Sequence, residues 1–252
     1  MTEETSPARL PWRIAEITST REETPRARTL VLKVEGWPGH LAGQHVDVRL
    51  TAADGYQAQR SYSIASPPLT SRLELLIERI PNGEVSPYLT DVAQPGDRFE
   101  LRGPIGGYFV WTADREGPLV LIGAGSGIVP LVSMLAYRAE AAPDRPTRLL
   151  YSARSAEDII FREQLQAWAT KDLALAVSVT LTRAVPSGWS GFRRRIDLQM
   201  LREVAFAATD HPLAYVCGPT SMVEQTADHL VALGYAASRI LTERFGPSGE
   251  PS

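Results

Sequence analysis

The chain has 252 residues, of which 44% are hydrophobic and 22% charged, which is the usual composition of a globular protein. This length is enough for one large domain or two modest ones. Its formal net charge of −3 argues against nucleic acid or an anionic membrane as the main partner. No stretch reaches the roughly 18 apolar residues that a membrane-spanning helix needs, so no membrane span is predicted.

Cysteine and histidine usage limits the chemistry that the chain can carry by itself. A single cysteine, Cys217, excludes an intrachain disulfide and a four-cysteine iron–sulfur site. The four histidines lack the spacing of metal ligands, so no metal site is predicted. The polar, acidic N-terminus is unlike a secretion signal, and we expect a cytoplasmic protein whose redox chemistry would come from an organic cofactor.

Short segments punctuated by glycine and proline run from Trp12 to about Trp111. Residues 45–50 alternate polar and apolar side chains, which is typical of a half-buried antiparallel strand. Many short strands at close spacing predict a barrel or a sandwich. The other strand candidates in this half are residues 28–34, 60–66, 72–79, 97–102 and 108–111.

The pattern changes after a polar connector at residues 112–118. Residues 119–122 are continuously apolar, as expected of a parallel strand that is covered on both faces. Apolar residues at helical spacing then alternate with strand-like segments, which predicts a doubly wound α/β domain. The remaining elements are strands near 148–153, 174–182 and 213–217, and helices around 161–169 and 221–233.

The strand candidate at residues 60–66 carries an arginine and a tyrosine on one face, because Arg60 and Tyr62 are two positions apart. A guanidinium can hold a phosphate while the neighbouring ring stacks on a planar heterocycle. A barrel strand with a surface arginine explains the same pattern equally well.

A helix start is predicted at Ser86, as the N-cap, followed by Pro87 in the first turn. Free N–H groups at such a start suit a phosphate. A capped helix that binds nothing is the more common case.

Residues 123–130, with the sequence GAGSGIVP, follow an apolar strand and open an amphipathic helix. Glycines there let backbone N–H groups approach a phosphate at the positive end of the helix. The segment departs from the dinucleotide fingerprint, because Ile128 stands where the third glycine belongs. A tight turn without a ligand is the alternative.

The segment from Tyr215 to Pro219 ends another strand just before a helix. Ligands bind at this carboxyl edge of a parallel sheet in open α/β domains. Cys217 could equally be a small buried hydrophobic residue.

These four segments, in this order, resemble the ferredoxin–NADP reductase superfamily over nearly the whole chain. The resemblance implies two domains. Residues 1–113 would form a six-stranded antiparallel Greek-key β-barrel that binds a flavin, and residues 114–252 a doubly wound parallel α/β domain that binds NAD(P). Residues 103–109 are similar to the stretch that closes the barrel in the family.

The resemblance also implies roles for the flavin segments. Arg60 would pair with the flavin phosphate, Tyr62 would pack on the isoalloxazine, and Ser63 would hydrogen-bond near its reactive nitrogen. The second phosphate turn is matched by Gly83 and Ser86. Ile64, Val85 and Phe245 complete the implied flavin site.

The nicotinamide dinucleotide is assigned by the same resemblance to the second domain. Its binding motif is matched by Gly123, Gly125, Ser126, Gly127 and Pro130, and Cys217, Gly218 and Pro219 match the motif beside the nicotinamide. Glu243 is implied as a candidate for proton handling or nicotinamide positioning, so the catalytic candidates are Ser63, Cys217 and Glu243. Residues 246–252 follow Phe245, unlike several relatives in which the aromatic residue is last, so a buried strand residue is the alternative for Phe245.

The choice between FAD and FMN, and between NADPH and NADH, rests on fewer residues than the family assignment does. FAD is expected because most of the family carries it, with FMN the alternative, although no adenine site is evident in the sequence. NADPH is favoured over NADH because Thr182 and Arg183 offer a hydroxyl and a guanidinium for the 2′-phosphate. Further candidate cations are Arg193, in the run 193–195, and Arg154. The segment 186–189 resembles a turn of NADH-using relatives, so both nicotinamides stay open.

The implied activity is transfer of hydride from NAD(P)H to a flavin, followed by electron transfer to a separate protein such as a ferredoxin, flavodoxin, haem protein or oxygenase component. One alternative is reduction of a small acceptor, such as free flavin or a ferric chelate. Others are an electron-relay subunit that does not use a nicotinamide, and a non-redox nucleotide-binding module.

Overall fold

A computed structural model describes residues 10–70 and 72–245 of the chain. Their N-terminal half is a six-stranded antiparallel sheet in the order β4-β3-β6-β1-β2-β5. An isolated bridge between Ile64 and Leu75 joins the two outer strands and closes the barrel. The strands are β1 (Arg13–Thr24), β2 (Ala27–Val34), β3 (His45–Thr51), β4 (Gln57–Ser63), β5 (Leu73–Glu78) and β6 (Arg98–Ile105).

The barrel forms around one apolar core, because alternate residues of each strand point inwards. Ile17, Leu30, Val48 and Leu101 are fully buried there. A short helical turn, Tyr88–Val92, follows β5 and adds the buried side chain of Leu89 to this core.

The C-terminal half is a five-stranded parallel sheet in the order β11-β10-β7-β8-β9. Its strands are β7 (Leu119–Ala124), β8 (Thr147–Ala153), β9 (Leu175–Leu181), β10 (Leu213–Pro219) and β11 (Ile240–Phe245). The helices are α1 (Ile128–Ala141), α2 (Arg162–Lys171), α3 (Leu198–Val204) and α4 (Thr220–Ala232).

The helices cover both faces of this sheet, as the continuous apolar run in β7 predicts. Leu119 and Leu121 pack into the cluster that includes α1 and α2, whereas Val120 and Ile122 pack into the cluster with α3 and α4. The predicted barrel and doubly wound domain are therefore confirmed. The division at residue 113 stays a prediction.

Three strand assignments from the sequence need correction. β1 was not predicted, and it is the longest strand of the barrel, pairing with both β2 and β6. The candidate at 108–111 forms only an isolated bridge, between Trp111 and Ala42. β4 begins at Gln57 and ends at Ser63, so it lies earlier than the predicted 60–66.

The two halves share a packed interface. Barrel residues such as Ala42 and Ala65 belong to the same buried cluster as Leu131 of α1. Ser133 of α1 donates a buried hydrogen bond of 2.7 Å to the carbonyl of Ser66. This interface leaves a cleft open along one side. Among the described residues, none of the helices has both the length and the apolar character that crossing a bilayer requires.

Candidate functional site

A cleft of about 500 Å³ lies between the two halves. The barrel contributes the β1–β2 turn and the end of β5 to its walls. The α/β half contributes the carboxyl ends of its parallel strands, which is where open α/β sheets place their ligands. The lining residues that matter below are Arg26, Gly125, Ser126, Arg154, Asp158, Thr182, Arg195, Pro219 and Phe245.

The glycine-rich turn after β7 forms one wall of this cleft. Gly125 has φ +55°, a conformation that side chains with a Cβ rarely adopt. Gly127 lies so close to β10 that a Cβ on it would be 2.2 Å from the carbonyl oxygen of Cys217. α1 begins at the next residue and includes the buried Pro130, so the N-terminal end of a 14-residue helix lies beside the cleft. This arrangement suits a phosphate group.

The end of β10 lies against the same turn. Cys217 is fully buried, and burial, followed by the nearby carboxylate of Glu243, raises the pKa of its thiol. Gly218 has φ +153°, and a Cβ there would be 2.6 Å from Met222. A Cβ on Gly123, one strand away, would be 3.0 Å from Cδ1 of Leu131. Only small residues therefore fit where the two strand ends meet.

Glu243 lies beside Cys217 because β10 and β11 pair in register at these two residues. The thiol of Cys217 donates to Oε2 of Glu243 at 3.9 Å. Burial raises the pKa of Glu243 to about 7, an effect that the hydrogen bond from Cys217 only partly offsets. The carboxyl can therefore gain and lose a proton near neutral pH.

His45 of the barrel faces the other oxygen of Glu243, with Nδ1 4.0 Å from Oε1. Burial lowers the pKa of His45, partly offset by the charge of Asp47. The sequence analysis did not single out His45. His45 lies at this position because β3 pairs with β4 in a register that sets His45 opposite Ser63. The sequence does not reveal that register.

Ser63 provides the test of whether a flavin fits this site. Its Oγ is buried and has no hydrogen-bond partner among the described residues. A buried hydroxyl without a partner costs free energy, and a flavin ring nitrogen or oxygen would satisfy it. The predicted position of Ser63 beside the flavin ring therefore fits the structure.

The other residues expected to hold the flavin lie on β4. Tyr62 is partly buried, and burial raises its pKa to about 12. Arg60 is half exposed and forms an ion pair of 2.8 Å with Glu84. Glu84 also accepts a hydrogen bond of 2.5 Å from the hydroxyl of Tyr56. Arg60 thus lies at the surface, where a phosphate can reach it.

The second predicted phosphate turn differs in detail from its prediction. Ser86 does not cap a helix, because its Oγ accepts a hydrogen bond from the backbone N–H of Ile80 and the helical turn has no side-chain cap. A Cβ on Gly83 would be 3.1 Å from the same Oγ, so the turn is tightly packed. Val85 and Ile64 lie in the barrel core.

The candidate cations divide into two groups. Arg154 and Arg195 line the cleft together with Thr182, whose hydroxyl donates to the carbonyl of Ala153 at 3.2 Å. Arg183 and Arg193 are exposed and do not line it, and Arg193 instead donates to the carbonyl of Trp189. Arg195 was noted in the sequence only as part of the basic run.

Phe245 ends β11 opposite Pro219, is partly buried, and lines the cleft. Its ring is therefore available to a ligand in the cleft. Residues 246–252 lie outside the described residues. Their presence after Phe245 was the reason for the alternative that Phe245 is a buried strand residue.

Comparisons with known proteins match each half of the chain to a family model. Residues 15–110 match the family model described as an oxidoreductase FAD-binding domain, and residues 121–228 match the one described as an oxidoreductase NAD-binding domain. Ferredoxin–NADP reductase B of Sorangium cellulosum is 33% identical over 239 residues, which cover 92% of this chain and 96% of that protein.

Other relatives are longer than this chain. The toluate 1,2-dioxygenase electron transfer component of Pseudomonas putida is 27% identical over 208 residues, which cover 82% of this chain and 59% of the relative. This chain thus spans little more than half the length of that relative. The crystal structure of a cytochrome P450 reductase from Amycolatopsis has a TM-score of 0.82 at 26% identity, covering 94% of this chain and 71% of that one.

Proposed function

Because the chain belongs to the ferredoxin–NADP reductase family, we propose that it oxidises NAD(P)H through a bound FAD and passes the electrons to a separate acceptor. One observation carries this proposal. The residues predicted to hold the flavin lie next to those predicted to hold the nicotinamide. Ser63 pairs with His45 on the neighbouring strand, and His45 faces Glu243. Glu243 in turn contacts Cys217. Two independently predicted binding regions are thereby brought within reach of each other.

The residues of the chain have distinct tasks in this proposal. FAD, when bound, supplies the conversion of a two-electron donor into a source of single electrons. The backbone of residues 125–127 binds the pyrophosphate of the nicotinamide dinucleotide. The buried Cys217 packs beside the nicotinamide end of the site, Phe245 covers the flavin ring, and Ser63 holds that ring by a hydrogen bond. The protein's contribution is alignment of the two rings.

NADPH is the nicotinamide that we favour. Arg154, just after β8, and Arg195, in the segment before α3, line the cleft together with Thr182, just after β9. A guanidinium pairs well with a phosphate, and a 2′-phosphate is the group that distinguishes NADPH from NADH. Arg183 and Arg193, the cations first suggested by the sequence, carry less weight because they lie outside the cleft lining.

The acceptor that we propose is a one-electron redox protein. The names of the relatives, an electron transfer component of a dioxygenase, a ferredoxin–NADP reductase and a cytochrome P450 reductase, support this class. The described residues contain no group of three or more histidine, cysteine or acidic side chains that could hold a metal ion. An oxygenase component, a ferredoxin or a haem protein would therefore bring the metal centre.

The decisive experiment is anaerobic reduction of the purified protein. The released flavin is identified first, and the flavin absorbance is then followed on addition of NADPH and of NADH. We expect FAD, and faster bleaching at low NADPH than at equal NADH. A folded protein that takes up neither FAD nor FMN would contradict the proposal. Comparable steady turnover with free flavin or ferric chelates would favour a small-acceptor reductase instead.

A further inference from the structure

We propose that Glu84 makes this protein select FAD over FMN, because its carboxylate lies beside the arginine that would receive the flavin phosphate. This inference rests on the proposed function, since it concerns the flavin that the chain binds. It goes beyond that function by assigning the choice between two flavins to one acidic side chain.

The carboxylate of Glu84 is held by two side chains from one segment of the barrel. Its Oε2 atom lies 2.8 Å from Nη2 of Arg60, within β4. Its Oε1 atom accepts a hydrogen bond of 2.5 Å from the hydroxyl of Tyr56, the residue just before β4. Because both oxygens have a donor, the carboxylate is fixed against this strand.

The backbone around Glu84 is also fixed. The next residue, Val85, is fully buried in the barrel core. The Oγ atom of Ser86 accepts a hydrogen bond of 3.0 Å from the backbone N–H of Ile80. On the other side, a Cβ on Gly83 would be 3.1 Å from the carbonyl oxygen of Ile80. Glu84 therefore cannot move away from Arg60 by a shift of its backbone.

Arg60 has enough donors to bind a phosphate while it keeps its carboxylate partner. A guanidinium has five N–H donors. One contact goes to Glu84 and another, of 2.6 Å, to the carbonyl of Gln59. The side chain of Arg60 is also 52% exposed, so its remaining donors are accessible. A phosphate bound there would share the guanidinium with the carboxylate and lie close to it.

Neighbouring charges do not cancel the charge of Glu84. Glu84 lines a hollow of about 480 Å³ on the barrel, together with Arg49, Arg98 and Glu100. Arg49 pairs with Glu100 at 2.6 Å, and Arg98 pairs with Glu16 at 2.7 Å. Each of these two arginines is thus neutralised by its own carboxylate.

The two flavins differ in the charge that they bring to this site. FMN ends in a phosphate monoester, which carries a charge of about −1.5 to −2 near pH 7, with a second pKa of about 6. Each phosphate of FAD is part of a bridged pyrophosphate and carries a single negative charge. The additional charge of FMN is repelled by a carboxylate nearby, so Glu84 disfavours FMN more than FAD.

The first test compares three flavins. Full-length protein freed of its flavin is titrated with FAD, FMN and riboflavin, which has no phosphate, and flavin fluorescence gives each Kd. We expect Glu84→Gln to improve the affinity for FMN about 3- to 10-fold more than that for FAD. Riboflavin affinity should stay unchanged, which also shows that the variant is folded. Glu84→Lys should favour FMN further, because it replaces a negative charge by a positive one.

The matched control is Glu22→Gln, which removes an exposed carboxylate of β1 that does not line the hollow. This variant should bind all three flavins as wild type does. An equal gain for FAD and FMN in Glu84→Gln would overturn the inference, as would a gain for riboflavin. Loss of FAD affinity with unchanged FMN affinity would also overturn it, because Glu84 would then bind the adenosine half of FAD.

The second test changes the charge of the ligand and leaves that of the protein. Hydrogen bonds from Tyr56 and then Arg60 lower the pKa of Glu84, so its carboxylate is still ionised at pH 5. FMN loses most of its second charge there. The selective gain of Glu84→Gln for FMN should therefore shrink at pH 5, and also at high salt, which screens exposed charges.

A selective gain that is the same at pH 5 and pH 7.5 would contradict a role for charge. Wild-type protein that binds none of the three flavins would overturn the proposed function, and this inference with it. Wild-type protein that binds FAD, with no selective gain in Glu84→Gln, would overturn this inference alone.

Discussion

Gly127 and Cys217 are in backbone contact, since a Cβ added to Gly127 would be 2.2 Å from the carbonyl oxygen of Cys217. The contact joins the start of α1 to the end of β10, and so joins two of the motifs found in the sequence. The third glycine of the dinucleotide fingerprint is replaced by Ile128, yet the close approach survives because Gly127 provides it.

Gly127→Ala should therefore damage both stability and nicotinamide binding. Overpacking against backbone typically costs about 1–3 kcal/mol, because no flexible side chain can yield. We expect a loss of that size in urea denaturation and a higher Kd for NADP⁺. The control is Gly107→Ala, where a Cβ would meet no atom within 4 Å. Equal stability of Gly127→Ala and wild type would mean that the contact is looser than described.

Arg60→Ala should weaken FAD binding about 10- to 100-fold, because a hydrogen bond to a charged group is worth about 1.5–3 kcal/mol. Flavin fluorescence titration of the apoprotein gives the Kd directly. Arg98→Ala is a suitable control, since Arg98 is exposed on the same barrel and is paired with Glu16 at 2.7 Å. Retention of full flavin affinity in Arg60→Ala would remove Arg60 from the site.

Arg195→Ala and Arg154→Ala should raise the KM for NADPH roughly tenfold and the KM for NADH much less. The physical reason is the loss of a guanidinium partner for the 2′-phosphate, which NADH lacks. Steady-state kinetics with both nicotinamides measures the difference. Arg193→Ala serves as the control, because its guanidinium binds the carbonyl of Trp189 outside the cleft lining. Equal effects on NADPH and NADH would exclude a 2′-phosphate role.

Glu243 should make folding stability depend on pH. Its pKa in the folded protein is raised from 4.5 to about 7, so its stabilising contribution is complete below pH 4.5 and is lost as pH rises to about 7. The loss amounts to about 3 kcal/mol, because each tenfold change in proton affinity is worth about 1.4 kcal/mol. Urea denaturation should then give similar stabilities for Glu243→Gln and wild type at pH 5.

At pH 8.5 the Glu243→Gln variant should be the more stable of the two, because glutamine cannot acquire a buried charge. Glu163→Gln, at an exposed position on α2, should show no such change in relative stability between pH 5 and pH 8.5. A constant difference between Glu243→Gln and wild type at the two pH values would show that Glu243 does not titrate between them.

Local patterns predicted much of the architecture. The polar–apolar alternation of β3 and the apolar run of β7 identified both sheets, because burial of one strand face or of both leaves a direct trace in the sequence. β1 has no such pattern and was therefore not predicted. Its residues RIAEITSTREET are largely polar, and the strand forms because it pairs with β2 on one side and β6 on the other.

The sequence by itself determined the glycine-rich turn before α1 and the small residues around it, because a glycine's conformational freedom and a helix start are local properties. Tertiary structure alone decided which side chains face the cleft. It placed Arg195 in the lining and Arg193 outside it, and it set His45 opposite Glu243. Such contacts depend on strand register and on how the two domains pack. A single sequence records neither, because residues far apart in the chain carry no local signal of their meeting.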